Sequence, residues 1–299
     1  MGKVSSKKRQ RLIFYTTAVI FPVVQFIVFW VCVNFNSILL AFRTFDYQTG
    51  YDFAGFSNFK KVIDDIIHQP FMASAFKNTL IVFAIGIVMM FTSIIMSYYL
   101  YKKNFGSGFF KVILFLPSIV PSIVMILCFK YFVEIAVPEI WSKVYGESIQ
   151  GLLSNPDTEL ATIFFRAAWF GIAGNFLLYT GAMTGISDSI IEAASLDGVT
   201  PVQEFIYIIF PMIFPTFSTF LITSFAVLFT NQMGLFDLYG VEANYSVYTV
   251  GYYLYKSIKL ATVGDYPYLA AFGILLTLIA VPLCFLTKWL LNKLGPKSI

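Results

Sequence analysis

Six stretches of this chain contain no Asp, Glu, Lys or Arg: residues 12–42, 78–101, 112–129, 167–187, 205–236 and 266–287. A charge at the centre of a bilayer costs roughly 2.5–3.5 kcal/mol even on the gentler insertion scale, so long charge-free apolar runs mark segments that can leave water. Each run is near or above the ~20 residues that a helix needs to cross ~30 Å of hydrocarbon. The runs are apolar on every side and lack the two-residue alternation, in pieces of about ten, of a strand barrel. Only 12% of the residues are charged, against about 25% in an average soluble chain. The sequence predicts an all-α integral membrane protein: one transmembrane domain over 1–299 with six transmembrane helices, at about 12–42, 78–101, 112–129, 162–187, 205–236 and 266–290. The first run is too long for a signal-peptide core and has no small-residue cleavage pattern, so it is expected to stay as an anchor.

An even number of spans puts both termini on one side. Lys3, Lys7, Lys8, Arg9 and Arg11 at the start mark that side as cytoplasmic, and Lys102, Lys103 and Lys111, then Lys288, Lys293 and Lys297, fall on it too. One inner loop breaks the rule. Between the fourth and fifth spans stand Asp188, Glu192, Asp197 and Glu204 with no Lys or Arg, so that loop is expected to meet something other than lipid headgroups. Cys32, Cys128 and Cys284 lie singly in three different spans and offer neither a disulfide framework nor a CxxC site. His68 is the only histidine, and no metal site is expected.

The outer loops cover 43–77, with the turn-forming run DYQTGYDFAGFSNF, then 130–159 and 237–265. Eight tyrosines lie between Tyr239 and Tyr268; an interfacial aromatic belt is one reading of them, and stacking on a sugar or on an external protein is another. Pro22, Pro117, Pro121, Pro211, Pro215 and Pro282 fall inside the spans. Each removes a backbone donor and bends its helix unless neighbours compensate, which suits a transporter better than a simple anchor.

Within the acidic loop, Ser189-Ile190-Ile191-Glu192 has capping-box spacing and predicts a short helix at about 189–198, with Ala193, Ala194 and Leu196 extending it and Gly198 ending it. Thr200-Pro201-Val202-Gln203 then reads as a second box, Pro at the first helical position, leading into the fifth span. Small alanines would let a protein surface approach closely. The same acids would also serve a plain connector, favoured by the helix dipoles.

Glu192-Ala193-Ala194, three residues, Gly198, nine residues, then Ile208-Ile209-Phe210-Pro211 resembles the EAA signature of the permease subunits of binding-protein-dependent ABC importers, EAA, three residues, G, nine residues, I-x-L-P. The spacing agrees throughout, with Phe210 where the family usually has Leu. GFSNF (55–59), KNTL (77–80), FLLYTGAMTGI after Trp169 and the Asp197-Gly198 pair resemble its carbohydrate-uptake group, the maltose, oligosaccharide and polysaccharide types. After Asn231 the stretch NQMGLFDLYG replaces the usual GGP-type run and is closer to the polysaccharide branch.

The resemblance implies a non-enzymatic subunit of an importer in the bacterial cell membrane. Its partners would be a second six-span permease, most simply in a heterodimer, two copies of a cytoplasmic ABC ATPase, and an extracellular binding protein that delivers a sugar. The acidic loop becomes a coupling helix on the ATPase, carried by Glu192, Ala193, Ala194, Asp197, Gly198 and Pro211. No GxxxxGK[ST] phosphate loop occurs in the chain, so this subunit has no catalytic residue and no cofactor, and ATP and Mg belong to the partner ATPase. For the substrate path, the polar and aromatic residues at membrane depth are Arg166, Trp169, Asn175, Tyr179, Thr223, Ser224 and Asn231. Arg166 can instead snorkel, pair structurally or meet the binding protein. Asn175 and Tyr179, four apart on one helix face, can instead bond between helices. An ion-coupled transporter would want carboxylates inside the spans, and the six windows hold none. A membrane enzyme would want clustered acids or metal ligands, and a permease for a non-sugar solute is the nearer alternative.

Overall fold

The computed structural model describes residues 6–296; Lys3 and Lys297 of the basic clusters lie outside them, as does the side chain of Pro117. Five helical segments are long and apolar enough to cross a membrane: Lys7–Leu40, Pro70–Tyr101, Pro156–Thr184, Pro201–Ala226 and Tyr266–Leu294. The residues group into two compact units, one of Met1–Asp65 with Leu260–Leu276 and one of Ile66–Lys259 with Thr277–Ile299.

In the first unit, α1 (Ser6–Gln25) passes through a π-helical turn (Phe26–Val31) into α2 (Cys32–Leu40). The turn begins four residues past Pro22. A hairpin absent from the sequence-based expectation comes next, β1 (Arg43–Asp46) against β2 (Gly50–Phe53), with Phe45 opposite Tyr51. Its turn is specified locally: the Asp46 carboxylate accepts the Gln48 amide at 2.7 Å, and Gly50 takes φ +83°, a value that favours glycine. The Asn58 amide, in α3 (Ser57–His68), donates to the Ala41 and Arg43 carbonyls at 2.9 and 2.7 Å and ties the helix to the hairpin's base. Ahead of the last helix, Asp265 accepts the Thr262 hydroxyl and amide at 2.7 and 2.8 Å. Those bonds hold its carboxyl below the usual carboxylate range.

The second unit begins with α4 (Pro70–Tyr101), α5 (Ser107–Ile119), α6 (Ser122–Tyr131) and α7 (Val137–Tyr145). The predicted third span, 112–129, is therefore not one continuous helix. Pro121 forces the residue before it out of the helical region, and Val120 sits at ψ 134° between α5 and α6. Next come α8 (Pro156–Thr184), α9 (Asp188–Leu196), α10 (Pro201–Glu204), a π-helical turn (Phe205–Ile209), α11 (Phe210–Ala226), α12 (Leu235–Tyr239) and α13 (Val250–Leu260); the last helix, α14 (Tyr266–Leu294), belongs to the first unit up to Leu276 and to the second from Thr277. The expected fifth span, 205–236, stops ten residues early: α11 ends at Ala226, Val227 takes φ −97° and ψ 7°, residues 227–234 form turns and irregular backbone, and Met233 and Gly234 take φ +53° and +61° just ahead of α12.

α4 and α8 are joined by two serines. Ser93 Oγ lies 2.8 Å from the Ile172 carbonyl and Ser97 Oγ 2.8 Å from the Phe176 carbonyl, both buried; small hydroxyl residues of this kind let membrane helices approach and bond. The apolar core beside them is Met90, Ile94, Tyr179, Met183, Ile186, Ile209, Ile213 and Phe217. The tyrosine-rich segment 239–268 is in part interior: Tyr248 and Tyr252 are buried, Asn78 Nδ2 donates to the Tyr248 carbonyl at 3.0 Å, and Lys256 Nζ donates to Tyr248 Oη at 2.6 Å. An interfacial belt does not describe these two rings.

Candidate functional site

A cleft of about 340 Å³ opens between three helices of the second unit. α4 supplies Thr79, Val82, Phe83, Gly86 and Met90, α8 supplies Gly171, Gly174 and Asn175, and α11 with the turn after it supplies Phe220, Thr223, Ser224 and Asn231, with Thr249 at the edge. Gly86 on α4 and Gly174 on α8 leave open space, since a Cβ there would meet nothing within 4 Å, while a Cβ at Gly171 would press on Met89 at 3.1 Å. None of the lining residues is ionisable. Thr223 Oγ1 donates to the Thr219 carbonyl at 2.8 Å and Ser224 Oγ to the Leu221 carbonyl at 2.8 Å. Their protons are thus spent on their own helix, and the oxygens face the cleft as acceptors. Asn175 brings an amide that both donates and accepts. Phe83 and Phe220 offer aromatic faces. A few fixed neutral polar groups on an apolar wall is the usual design of a site for an uncharged polar ligand.

Of the seven residues proposed from sequence, Asn175, Thr223, Ser224 and Asn231 meet here. Tyr179 lies one layer back, fully buried, with its ring 5.4 Å from that of Phe220 and its Oη without a hydrogen-bond partner among the described residues. Trp169 is half exposed on another face of α8, where it lines an apolar groove with Met125, Cys128, Phe129, Phe132 and Phe170. Arg166 neither snorkels nor reaches the cleft. It is 6% exposed, donates from Nη2 to the Met233 carbonyl and lies 5.6 Å from the Phe170 ring, so it pins the turn between α11 and α12. Thr79, Phe83, Gly86 and Thr249 were not singled out in the sequence; the polar Thr79 and the two glycine-free turns around Gly86 were the available signal.

Below the cleft the acidic loop folds as a helix, a turn and a second helix. α9 starts at Asp188 after Ser187, which makes no side-chain cap bond. The capping box read at Ser189 and Glu192 is therefore not formed: Ser189 falls inside the first turn, and its hydroxyl pairs with that of Ser187 at 2.8 Å. The end of the helix follows the sequence closely. Val199 N donates to the Ala194 carbonyl at 3.2 Å, Gly198 N to the Ser195 carbonyl at 3.1 Å, and Gly198 takes φ +73°, the paired bonds of a Schellman motif. The second box is complete, with Thr200 N bonded to Gln203 Oε1 at 2.9 Å and Gln203 N to Thr200 Oγ1 at 3.4 Å. Glu192, Ala193 and Asp197 are exposed, Ala194 is buried, and Leu196 is 89% exposed. Pro211 stands just past the π-helical turn, inside the continuous helical segment Pro201–Ala226, where its missing donor interrupts the backbone ladder. Glu204 differs from the other acids in being 7% exposed and ion-paired with Lys102.

The family model for binding-protein-dependent transport system inner membrane components matches residues 89–299. The maltose/maltodextrin transport system permease protein MalF of Yersinia pestis is 28% identical over 186 residues, 59% of this chain and 34% of that protein. The chain thus spans about a third of the length of such MalF relatives. The multiple sugar-binding transport system permease protein MsmF of Streptococcus mutans is 25% identical over 245 residues, 80% of this chain and 82% of that one. A chain from the crystal structure of a bacterial alginate ABC transporter, in complex with an alginate pentasaccharide-bound periplasmic protein, superposes with a TM-score of 0.73 at 17% identity over 98% of both chains. The fold is shared at that distance.

Proposed function

The chain belongs to the binding-protein-dependent transport system inner membrane components, and from that membership we propose that it is the permease subunit forming half the path of an ATP-driven sugar importer. It is a multi-pass membrane protein. In this reading α5 and α6 together make one kinked crossing, which gives six spans and leaves both termini in the cytoplasm. The second half of the path comes from another six-span permease, most simply a different chain. Two cytoplasmic ATPase subunits bind ATP and Mg, and an extracellular binding protein delivers the sugar.

The observation that carries the reading is the chain continuity between loop and cleft. α9 is attached through residues 185–187 to α8, and α10 runs through the π-helical turn into α11; both helices line the cleft. A protein that grips the exposed Glu192, Ala193 and Leu196 face therefore holds two cleft walls. Closing of the ATPase pair draws α9 toward its counterpart and biases the path from inward-facing to outward-facing. The neutral lining of the cleft supports a sugar without charge, whose hydroxyls would donate to Thr223 and Ser224 and exchange both kinds of bond with Asn175.

The test is gentle purification of this chain from its own membranes, with mass spectrometry of what accompanies it. A P-loop ATPase, a second six-span permease and a binding protein that responds to neutral sugars in a thermal-shift panel are expected. A chain that comes alone and catalyses uptake on an ion gradient without ATP would overturn the proposal.

A further inference from the structure

The third cleft wall, α4, is not continuous with the loop, yet its inner end is fastened to it. Lys102 Nζ lies 3.0 Å from both carboxylate oxygens of Glu204. Tyr98 Oη donates to the Pro201 carbonyl at 3.0 Å and sits 3.3 Å from Glu204 Oε1. The Tyr98 ring is 5.1 Å from that of Phe205. These contacts gather on α10 and the first residue of the π-helical turn, between the docking helix and α11.

A carboxylate that is 7% exposed cannot serve as a docking charge in the way that Glu192 and Asp197 can. Nor does a buried ion pair argue for itself as a source of stability, because desolvation offsets much of the attraction. What such a pair does well is fix geometry, with two charge-assisted bonds and a phenol converging on one side chain. We infer that Glu204, gripped by Lys102 and Tyr98, is a positioning residue that makes α4 move with the docking loop. α8 and α11 follow the loop through the chain; α4, bonded to α8 through Ser93 and Ser97, is held to the loop itself at its inner end by this grip, and all three walls of the cleft respond to the ATPase together. The grip persists through the cycle, because a link that opened at each turnover would let α4 slip. The inference rests on the reading of α9 as the docking helix.

Its test uses the complete transporter in liposomes, with ATP and vanadate as the probe. Spin labels at Lys103→Cys, in the turn just past the inner end of α4, and Ser195→Cys on α9 report their separation. In the otherwise native protein the distance is expected to stay constant on vanadate trapping. In the Lys102→Gln/Glu204→Gln variant, which removes both charges and leaves neither unpaired, trapping is expected to shift it by about 2 Å, the scale of helix shifts in switching proteins. The charge-reversed pair Lys102→Glu/Glu204→Lys is expected to restore constancy. An unchanged distance in the double Gln variant, or a distance that changes in the native protein, overturns the inference. Should that variant fail to assemble, a short bifunctional maleimide across Lys102→Cys/Glu204→Cys answers instead: trapping and ATP hydrolysis persist if the grip stays closed, and their loss overturns the idea. The mobility of the Ser195 label separates the two readings. If trapping leaves it unaltered, α9 is not the docking helix; if it responds while the tether variants behave as native, only the tether falls.

Discussion

Gly198 and Gly251 make opposite demands on a side chain. At Gly198 a Cβ would meet nothing within 4 Å, and only the φ of +73° excludes other residues. Left-handed backbone costs most L-residues roughly 1–2 kcal/mol, least for Asn and most for β-branched types. Gly198→Asn is expected to keep ATP-driven uptake near that of the native protein, whereas Gly198→Val is expected to leave ATP hydrolysis in place and lower uptake per ATP by about tenfold. Equal uptake by the two variants would sink the idea that the Schellman turn transmits motion. At Gly251 the limit is space: a Cβ would stand 2.6 Å from the Asn231 carbonyl oxygen and the Thr230 carbonyl carbon. Gly251→Ala must push that backbone aside, at a cost of about 1–3 kcal/mol, and because Asn231 lines the cleft it is expected to lower both the thermal unfolding temperature in detergent and the affinity for substrate. Sequence alone made the first glycine legible through its helix-ending position. The second became visible only when α13 was seen against the backbone of 230 and 231, which are distant in the chain.

The helices themselves were legible because burying charge in lipid is costly, but their limits were not. Pro121 was noted as a kink and proved to be a break, since a charge-free window records hydrophobicity and carries no information on whether the backbone ladder is continuous. Residues 227–236 passed as apolar span for the same reason, although the helix ends at Ala226 and the left-handed Met233 and Gly234 turn the chain ahead of α12. Facing was the harder problem. Asn175 and Tyr179 share a side of α8 by their spacing, yet Phe220 covers Tyr179 and leaves Asn175 open, and the carbonyl that captures Arg166 belongs to a turn whose form no local pattern announces. The pairing of α4 with α8 through Ser93 and Ser97 was likewise hidden inside an apolar run. Interhelical bonds in membranes are worth about 0.6 kcal/mol each on average, with a ceiling of ~1.7. The Ser93→Ala/Ser97→Ala double variant is therefore expected to lose about 1–3 kcal/mol in a detergent-unfolding titration, and a loss under ~0.3 kcal/mol would show that packing alone holds the pair.

At the scale of the proposed importer, the cleft would open to opposite sides in two states, and the partner ATPase would supply the difference. Turning a 1:99 equilibrium into 99:1 takes about 5.5 kcal/mol of differential binding, which a frayed loop would dissipate, and the Schellman turn, the Thr200 box and the short α10 keep the route from α9 to α11 stiff. If that is the route, residues in the cleft change the side on which they meet water while residues elsewhere on the same helix do not. Single cysteines at Asn175, Ser224 and Trp169, in a chain whose native Cys32, Cys128 and Cys284 are replaced by serine, put this to a membrane-impermeant maleimide applied from either face of sealed vesicles. Asn175→Cys and Ser224→Cys are expected to react from the cytoplasmic face without nucleotide and from the opposite face after vanadate trapping. Trp169→Cys is half exposed on the apolar groove away from the cleft and is expected to keep one rate throughout. A cleft pair that reacts from the same face in both states would mean that this space is a packing void and that substrate passes elsewhere. A Trp169 site that switches with them would mean that the whole helix changes its surroundings, so that accessibility could no longer be assigned to the cleft.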